Sequence, residues 1–408
     1  MRGRRLLTLS GVIIFWVLLF VFTRIQGAFF AWFLFYFMTA VLLYEAAVAW
    51  YGLRHVDVER ELSADRLSAG QKLEIKVTLR RSGWWPHFWV RIRDDLPERW
   101  LHDESDAERV LLPLWQKTRT FVYDIRNLQR GVYRIGETTL ETGDVLGLVR
   151  SVRHYQRTNE VLVYPRVVPV RGWSGYHPEE LGLRQPTRRR AEESTTVLGV
   201  REYIPGDRLS RIHWPASARR GQLQAKEFEL HVTSELLFII DAARSSFPTG
   251  SRERFELEMT IAASLMRHAF DLRRQFAMTM HGSRVVSLPA GNTQALLFRA
   301  LQELAMAEPD GRTDFAQSFA RIAQEAPQGT TLVVISPAVT RDTAAVAGTV
   351  RNRVTVEWFM PVGGPKLTET ERQGLQMLTT AGVHVYLIPS SDQLESLQRG
   401  GIQRATSV

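Results

Sequence analysis

Charged and aromatic side chains are concentrated between residues 200 and 229, directly before an apolar run. The stretch reads VREYIPGDRLSRIHWPASARRGQLQAKEFE. Glu202, Asp207 and His213 within it are residue types that carry out general acid–base catalysis. The sequence shows no nucleophile, metal-ligand set or companion base beside them, so a hydrolase or transferase is an alternative and not the favoured interpretation.

The same side chains can act without catalysis. Acids and bases at this density can form ion pairs that brace a loop, or they can present a fixed charged face to a protein partner. Both alternatives stay open for the residues that we single out as a structural or partner-binding signature. These are Arg201, Glu202, Tyr203, Pro205, Gly206, Asp207, Arg211, His213, Trp214 and Arg219.

Turn and breaker residues predict the local structure of this stretch. Pro205-Gly206-Asp207 is typical of a turn, and the Asp207 carboxylate suits the N-cap of a short helix that follows. Pro215 prevents a long regular helix. We therefore expect a compact turn, a short helix and a loop, leading into a strand near Leu223 to Leu230.

A second candidate site follows the apolar run 236–240. Asp241 is followed four residues later by Ser245, a spacing that can place two oxygens around Mg²⁺ or Mn²⁺. The pattern resembles the metal-ion-dependent adhesion site of von Willebrand factor A domains, whose distant Thr would be Thr313. Its middle Ser is Ala243 here, and its final Asp is replaced by Ser336.

These replacements remove or weaken two of the oxygens that a divalent cation would need. The favoured interpretation is that Asp241 accepts hydrogen bonds from loop amides and that no cofactor is bound. A metal-dependent binding module that uses Asp241, Ser245 and Thr313 stays as an alternative.

The pattern after Glu235 predicts alternating strands and helices. Such alternation is typical of a mostly parallel, Rossmann-like sheet with helices on both faces, whose ligands bind beyond the carboxyl ends of the strands. No Gly-x-Gly-x-x-Gly follows the first strand and no Gly-Lys-Ser/Thr loop occurs, so dinucleotide or NTP binding is unsupported. The predicted strands are 236–240, 276–280, 331–335, 354–360 and 383–388, and the predicted helices are 252–274, 292–306, 341–350 and 368–380.

The middle of the chain has a different pattern. Residues 54–168 show period-two alternation, as in 73–79, with turn signals between the runs, which predicts a β-sandwich. Its tryptophans, Trp84, Trp85, Trp89, Trp100 and Trp115, are interpreted as core and sheet-end packing. Residues 169–199 lack periodicity and read as a linker, and residues 200–408 hold the charged stretch and the α/β domain.

Two apolar runs open the chain. Residues 6–22 and 28–50 would span about 25 Å and about 34 Å as helices. We therefore predict a transmembrane helical hairpin over residues 1–53. A cleaved signal peptide is the rival interpretation, but no Ala-x-Ala site follows the first run. Basic residues flank both ends of the pair, which predicts that the domains after it face the cytoplasm. Glu45 lies near the cytoplasmic end of the second apolar run, and we interpret it as a carboxylate that the membrane interface tolerates.

Composition excludes several classes of function. The chain has no Cys, so disulfide and thiol chemistry are ruled out. Its net charge is +9, but no ladder of basic residues with interleaved aromatics occurs, so a nucleic-acid partner is not expected. Attraction to anionic lipid accounts better for the positive charge.

The whole pattern resembles the domain-of-unknown-function-58 family of bacterial membrane proteins. The resemblance rests on Arg201-Glu202-Tyr203, Pro205-Gly206-Asp207, Arg211-Ile212-His213-Trp214, Ala218-Arg219 and Phe228-Glu229. It implies a cytoplasmic-membrane protein with a von Willebrand factor A-like C-terminal domain and no established enzymatic activity. It also implies an adaptor or scaffold role beside a MoxR-type AAA+ ATPase and a transglutaminase-like membrane protein.

Overall fold

The structure is a computed structural model, and it forms two units, Met1–Val163 and Tyr164–Val408. We describe each unit by itself. The residues that the structure describes are 2–83, 87–100, 108–144, 147, 149–173, 175, 197–204, 210, 212–228, 235–248, 251–363 and 368–397.

Two helices begin the first unit: α1, Arg2–Gln26, and α2, Phe29–Tyr51. They pack together, because the Trp16 indole N–H donates to the Thr39 hydroxyl at 2.9 Å and the Trp16 and Phe35 rings lie 5.4 Å apart. In length and composition α2 can cross a membrane, whereas the apolar part of α1, Ile13–Gln26, is shorter. One apolar N-terminal helix long enough for a span is thus present, and the second span stays a prediction.

Sheets of largely antiparallel strands make up the rest of the first unit. They are ordered β1-β3-β6, β2-β10-β7 and β5-β4-β8-β9. Alternate residues of β3 are fully buried, as the period-two pattern predicts. The strands are β1 Val56–Leu62, β2 Arg66–Ser68, β3 Leu73–Arg81, β4 Val90–Asp94, β5 Glu108–Leu111, β6 Thr118–Ile125, β7 Gly131–Ile135, β8 Thr138–Gly143, β9 Arg150–Tyr155 and β10 Asn159–Tyr164.

These sheets enclose one hydrophobic core. Ile75 of β3, Ile92 of β4 and Val161 of β10 all belong to it, so each sheet contributes. Trp100 is buried and packs on Tyr133, as predicted for the tryptophans of this part. The prediction is wrong for Trp115, which is 68% exposed. Trp84 and Trp85 lie outside the described residues.

The second unit is built on a six-stranded sheet of order β15-β14-β13-β16-β17-β18. All neighbours pair in parallel except β14 and the edge strand β15. The strands of this unit are β11 Val197–Glu202, β12 Gln224–Phe228, β13 Leu236–Asp241, β14 Phe276–His281, β15 Val285–Gly291, β16 Thr331–Ile335, β17 Thr355–Pro361 and β18 His384–Ile388. The mostly parallel sheet predicted from the sequence is therefore confirmed.

Helices cover both faces of this sheet. The helices of this unit are α3 Trp214–Arg220, α4 Arg252–Asp271, α5 Gln294–Met306, α6 Phe315–Glu325, α7 Arg341–Val350 and α8 Glu369–Thr380, of which α4 to α8 pack on the sheet. One core joins α4 and α5 to residues such as Phe238, and the other joins α6, α7 and α8 to residues such as Ile239. Consecutive residues of β13 thus enter opposite cores, which explains its continuous apolar run. The strand order reverses between β13 and β16, the place where ligands of such sheets bind.

Candidate functional site

Asp241 ends β13 at the point where the strand order reverses, and it is fully buried. Its Oδ1 accepts the Ala243 backbone N–H at 2.9 Å. Its Oδ2 accepts the Ser336 hydroxyl at 2.7 Å, and Ser336 directly follows β16. Both oxygens of the carboxylate are therefore engaged by donors of the chain itself.

Burial sets the protonation behaviour of this carboxyl. Because the charged form loses its hydration, the pKa of Asp241 is raised to about 6. Hydrogen bonds from Ser336, Ser246 and the Ala243 amide oppose that rise because they favour the carboxylate. The Asp241 backbone N–H donates to Oε1 of Glu258 at 2.9 Å, so a second buried acid from α4 supports the same strand end.

A neighbouring loop completes this strand-end crevice. Gly311 forms a parallel bridge with Ala243, and a Cβ on Gly311 would lie 2.7 Å from the His281 carbonyl oxygen, so only Gly fits there. The hydroxyl of the exposed Ser245 donates to the Asp314 carboxylate at 2.8 Å. Thr313, the predicted ligand position, is exposed, and its neighbour Asp314 makes the contact instead.

These residues do not fit the five-oxygen set of a metal-ion-dependent adhesion site. Within the described part of the chain, no cluster of three or more His, Asp or Glu side chains could hold a metal ion. Each Asp241 oxygen already accepts one hydrogen bond, from the Ala243 amide or the Ser336 hydroxyl, so fewer lone pairs are left for a cation. Ser336 stands where the motif has its final Asp. Its hydroxyl is not a lost ligand here but a hydrogen-bond donor to the Asp241 carboxylate.

The charged stretch folds as a small block, which we define as residues 197–204 and 212–228. Its strands β11 and β12 pair antiparallel, with Arg201 opposite Ala225 and Glu202 opposite Gln224. Ile212 bridges Ala225 as well, so three chain segments meet at one point. The predicted strand near Leu223 to Leu230 corresponds to β12, Gln224–Phe228.

Polar side chains fix the short helix α3 within the block. His213 is its N-cap, because the ring Nδ1 accepts the Ala216 N–H at 3.1 Å. The buried Ser217 hydroxyl accepts the Gln224 N–H at 2.8 Å and ties the helix to β12. A ring nitrogen that caps a helix is engaged in structure, which weakens the interpretation of His213 as a catalytic base.

The block leaves a mixed apolar and basic surface. Trp214 is 63% exposed at the start of α3, Ile204 is 58% exposed, and Leu223 is 45% exposed. Arg219 is exposed in the last turn of the helix. Arg201 donates to the Glu202 carbonyl, and Tyr203 donates its backbone N–H to Leu223. The other signature residues, Pro205, Gly206, Asp207 and Arg211, lie outside the described residues.

Comparison with known proteins finds a family model that matches most of this block. The sequence model described as "Protein of unknown function DUF58" matches residues 199–359. The uncharacterized protein YeaD of Bacillus subtilis (strain 168) is 28% identical over 342 residues, which cover 83% of this chain and 84% of that protein. The match begins within β11 and includes the block from residue 199 onward and the strand-end crevice.

Solved structures give only distant likenesses. Proximal thread matrix protein 1 from the mussel byssus is 14% identical with a TM-score of 0.30, over 40% of this chain and 45% of that protein. The manganese-loaded TRAP protein of Plasmodium vivax is 12% identical with a TM-score of 0.26, over 40% of this chain and 70% of that protein. At TM-scores this low, neither the fold nor the function follows from these likenesses.

Proposed function

We propose that this chain, a member of the domain-of-unknown-function-58 family, is a non-enzymatic adaptor anchored in the bacterial cytoplasmic membrane. Its C-terminal unit, with a von Willebrand factor A-like fold, faces the cytoplasm and binds a MoxR-type AAA+ ATPase. A transglutaminase-like membrane protein is the second expected partner. The strand order and the antiparallel edge strand β15 support this type of α/β domain.

The anchor is supported by α2. Its 23 residues span about 34 Å, more than the hydrocarbon core of a bilayer. Many of its large apolar side chains are exposed, including Phe29, Phe30, Phe33, Phe37 and Leu43. A helix with this composition and this exposure suits contact with lipid. The basic residues Arg2, Arg4 and Arg5 in the first turn of α1, ahead of its apolar part, support a cytoplasmic N-terminus.

The observation that carries the partner-binding proposal is the exposure of Trp214. Trp and Arg are the residue types that dominate protein–protein interfaces, and the short helix α3 carries a tryptophan that is 63% exposed together with the exposed Arg219. The His213 cap and the Ser217 bond hold α3 in place, so Trp214 is presented on a fixed support. Such a support lowers the ordering cost of binding.

The test is capture of the MoxR-type ATPase by the full chain in detergent micelles. Trp214→Ala is expected to weaken capture about 30-fold, since a hot-spot residue contributes about 2 kcal/mol. The matched control is Leu272→Ala, which removes a side chain 49% exposed at the end of α4. Equal capture by Trp214→Ala and wild type, with unchanged thermal unfolding, would refute the partner face.

The metal-dependent alternative has a separate test. Calorimetric titration of Mn²⁺ into wild type and Asp241→Ala should give the same trace for both if the Asp241 carboxylate serves only as a hydrogen-bond acceptor. Saturable heat that is present in wild type and lost in the variant would instead establish a cation site and overturn the hydrogen-bonding interpretation.

A further inference from the structure

Exposed apolar side chains lie near the junction between α2 and the sheets of the first unit. Phe88 is 40% exposed, Leu114 47%, Trp115 68% and Leu112 69%. They lie in the segments 87–89 and 112–116, which we call the collar. Apolar side chains grouped at one place on a surface mark a contact site more often than isolated ones do.

Hydrogen bonds hold the collar against the end of α2. Nε2–H of the buried His87 donates to the carbonyl of Gly52, the C-cap of α2, at 2.6 Å. Leu114 and His87 exchange both backbone hydrogen bonds, with N···O distances of 2.9 and 3.2 Å. The Cα atoms of such a pair are about 5.5 Å apart, so Leu114 lies within roughly 12 Å of Gly52.

The turn that presents Leu114 and Trp115 is held in a strained conformation. Leu114 has a φ of 47°, in the left-handed region that costs free energy for any residue except Gly. The buried Arg81 guanidinium donates to the carbonyls of Trp115 at 2.7 Å and of Leu114 at 3.4 Å. This clamp holds the backbone of a turn whose Leu114 and Trp115 side chains are about half and two-thirds exposed.

Cationic side chains flank the collar. Arg54 lies just beyond the end of α2, and its guanidinium carbon is 5.1 Å from the centre of the Trp50 ring. Trp50 is 67% exposed. Lys117, next to the collar, is exposed, and its carbonyl accepts the Arg81 backbone N–H. Trp with Lys or Arg is the combination found at the boundary between a bilayer and water. The positive charge also matches anionic headgroups.

We propose that the collar rests in the headgroup layer of an anionic bilayer, so that the sheets of the first unit lie directly on the membrane. This inference depends on the proposed span of α2, whose end fixes the collar at the level of the membrane surface. The layer between hydrocarbon and water is about 5–7 Å deep on each side, enough to take up the side chains of Leu112 and Trp115. The bilayer is then a second point of attachment besides the helices.

The absence of Cys in the chain allows a clean labelling experiment. Leu112→Cys and Trp115→Cys are each labelled with the polarity-sensitive fluorophore NBD in the full chain. The labelled chains are reconstituted into phosphatidylcholine vesicles that contain phosphatidylglycerol. The matched control is Val122→Cys, because Val122 is 59% exposed but lies about 14 Å further along β6 than Thr118, away from α2. Leu43→Cys, at a position 67% exposed on α2, is the lipid reference.

Collar labels are expected to show blue-shifted emission, several-fold weaker quenching by aqueous iodide than the Val122 label, and stronger quenching by lipid with a spin-labelled headgroup. If the collar labels match the Val122 label while the Leu43 label is protected from iodide, the collar inference is wrong and the anchor stands. If iodide also quenches the Leu43 label, the anchor itself fails and the inference falls with it. If the Leu112→Cys and Trp115→Cys labels give the same result, that result does not come from misfolding of one variant.

Discussion

The hydrogen bond from Ser336 to Asp241 makes the stability of the second unit depend on a single hydroxyl. Ser336→Ala removes a donor that lies 2.7 Å from a fully buried carboxylate oxygen. Hydrogen bonds to charged groups contribute about 1.5–3 kcal/mol. For a unit of this size, each kcal/mol shifts the melting temperature by about 2–4 °C, so we expect a fall of about 3–12 °C at neutral pH. Ser245→Ala, the control, removes an exposed hydroxyl and should cost less than about 0.5 kcal/mol.

The stability lost in Ser336→Ala should depend on pH in a defined direction. Because burial raises the pKa of Asp241 to about 6, this carboxyl makes the wild type less stable as pH rises from the ordinary value of 3.8 towards 6. The Ser336 hydrogen bond lowers that pKa, so its removal raises the pKa and extends the decline to higher pH. The variant should therefore be close to wild type at about pH 5 and clearly less stable at about pH 8.

The intrinsic fluorescence of the full chain in detergent micelles can follow this unfolding. Trp358 is fully buried, and its indole N–H donates to the Ser336 carbonyl at 3.0 Å, which the substitution leaves in place. A shift of the melting temperature that is the same at both pH values, or no larger than that of Ser245→Ala, would refute the reasoning.

Two further predictions concern buried groups, and both are read from urea or thermal unfolding of the full chain. Asp94→Ala should destabilise the first unit by about 3–5 kcal/mol, because it leaves the buried Arg60 without its carboxylate partner at 3.2 Å. The control is Glu74→Ala, which breaks an exposed ion pair and should cost less than about 1 kcal/mol. Similar losses in the two would contradict the burial argument. Gly311→Ala should destabilise by about 1–3 kcal/mol because its Cβ would contact backbone oxygen, while Gly348→Ala, with its nearest atom at 3.6 Å inside α7, should stabilise by about 0.5–1 kcal/mol. A neutral Gly311→Ala would show that the strand-end loops are not closely packed.

Most of the second unit was predictable from the sequence because parallel strands buried on both faces appear as apolar runs. The run 331–335 corresponds to β16 and 341–350 to α7 with the same bounds. The edge strand β15, Val285–Gly291, escaped because it contains Pro289, which a strand tolerates only where one side is unpaired. Helix α6 was not predicted either, although Phe315, Phe319 and Ile322 recur at helical steps and are buried.

The strand-end crevice shows why residue type alone could not predict its chemistry. A Ser hydroxyl is both a donor and an acceptor, so at position 336 it can serve as a weak ligand for a cation or as a donor to a carboxylate. Sequence spacing brings Ser336 and Asp241 to one edge of the sheet but does not fix which atom faces which. The 2.7 Å contact assigns the donor role, because both oxygens of Asp241 then have partners inside the chain.

Trp115 and Trp100 raise the same difficulty for the sheets of the first unit. Both lie near strand ends, and the sequence gives no reason to separate them. Trp100 packs on Tyr133 in the core, whereas the Arg81 clamp and the left-handed Leu114 turn Trp115 outward. The difference arises from a contact between β3 and a distant turn, which no local pattern encodes. An exposed Trp held by a buried Arg beside a helix that can cross a membrane is therefore a structural signal for lipid contact that composition could not supply.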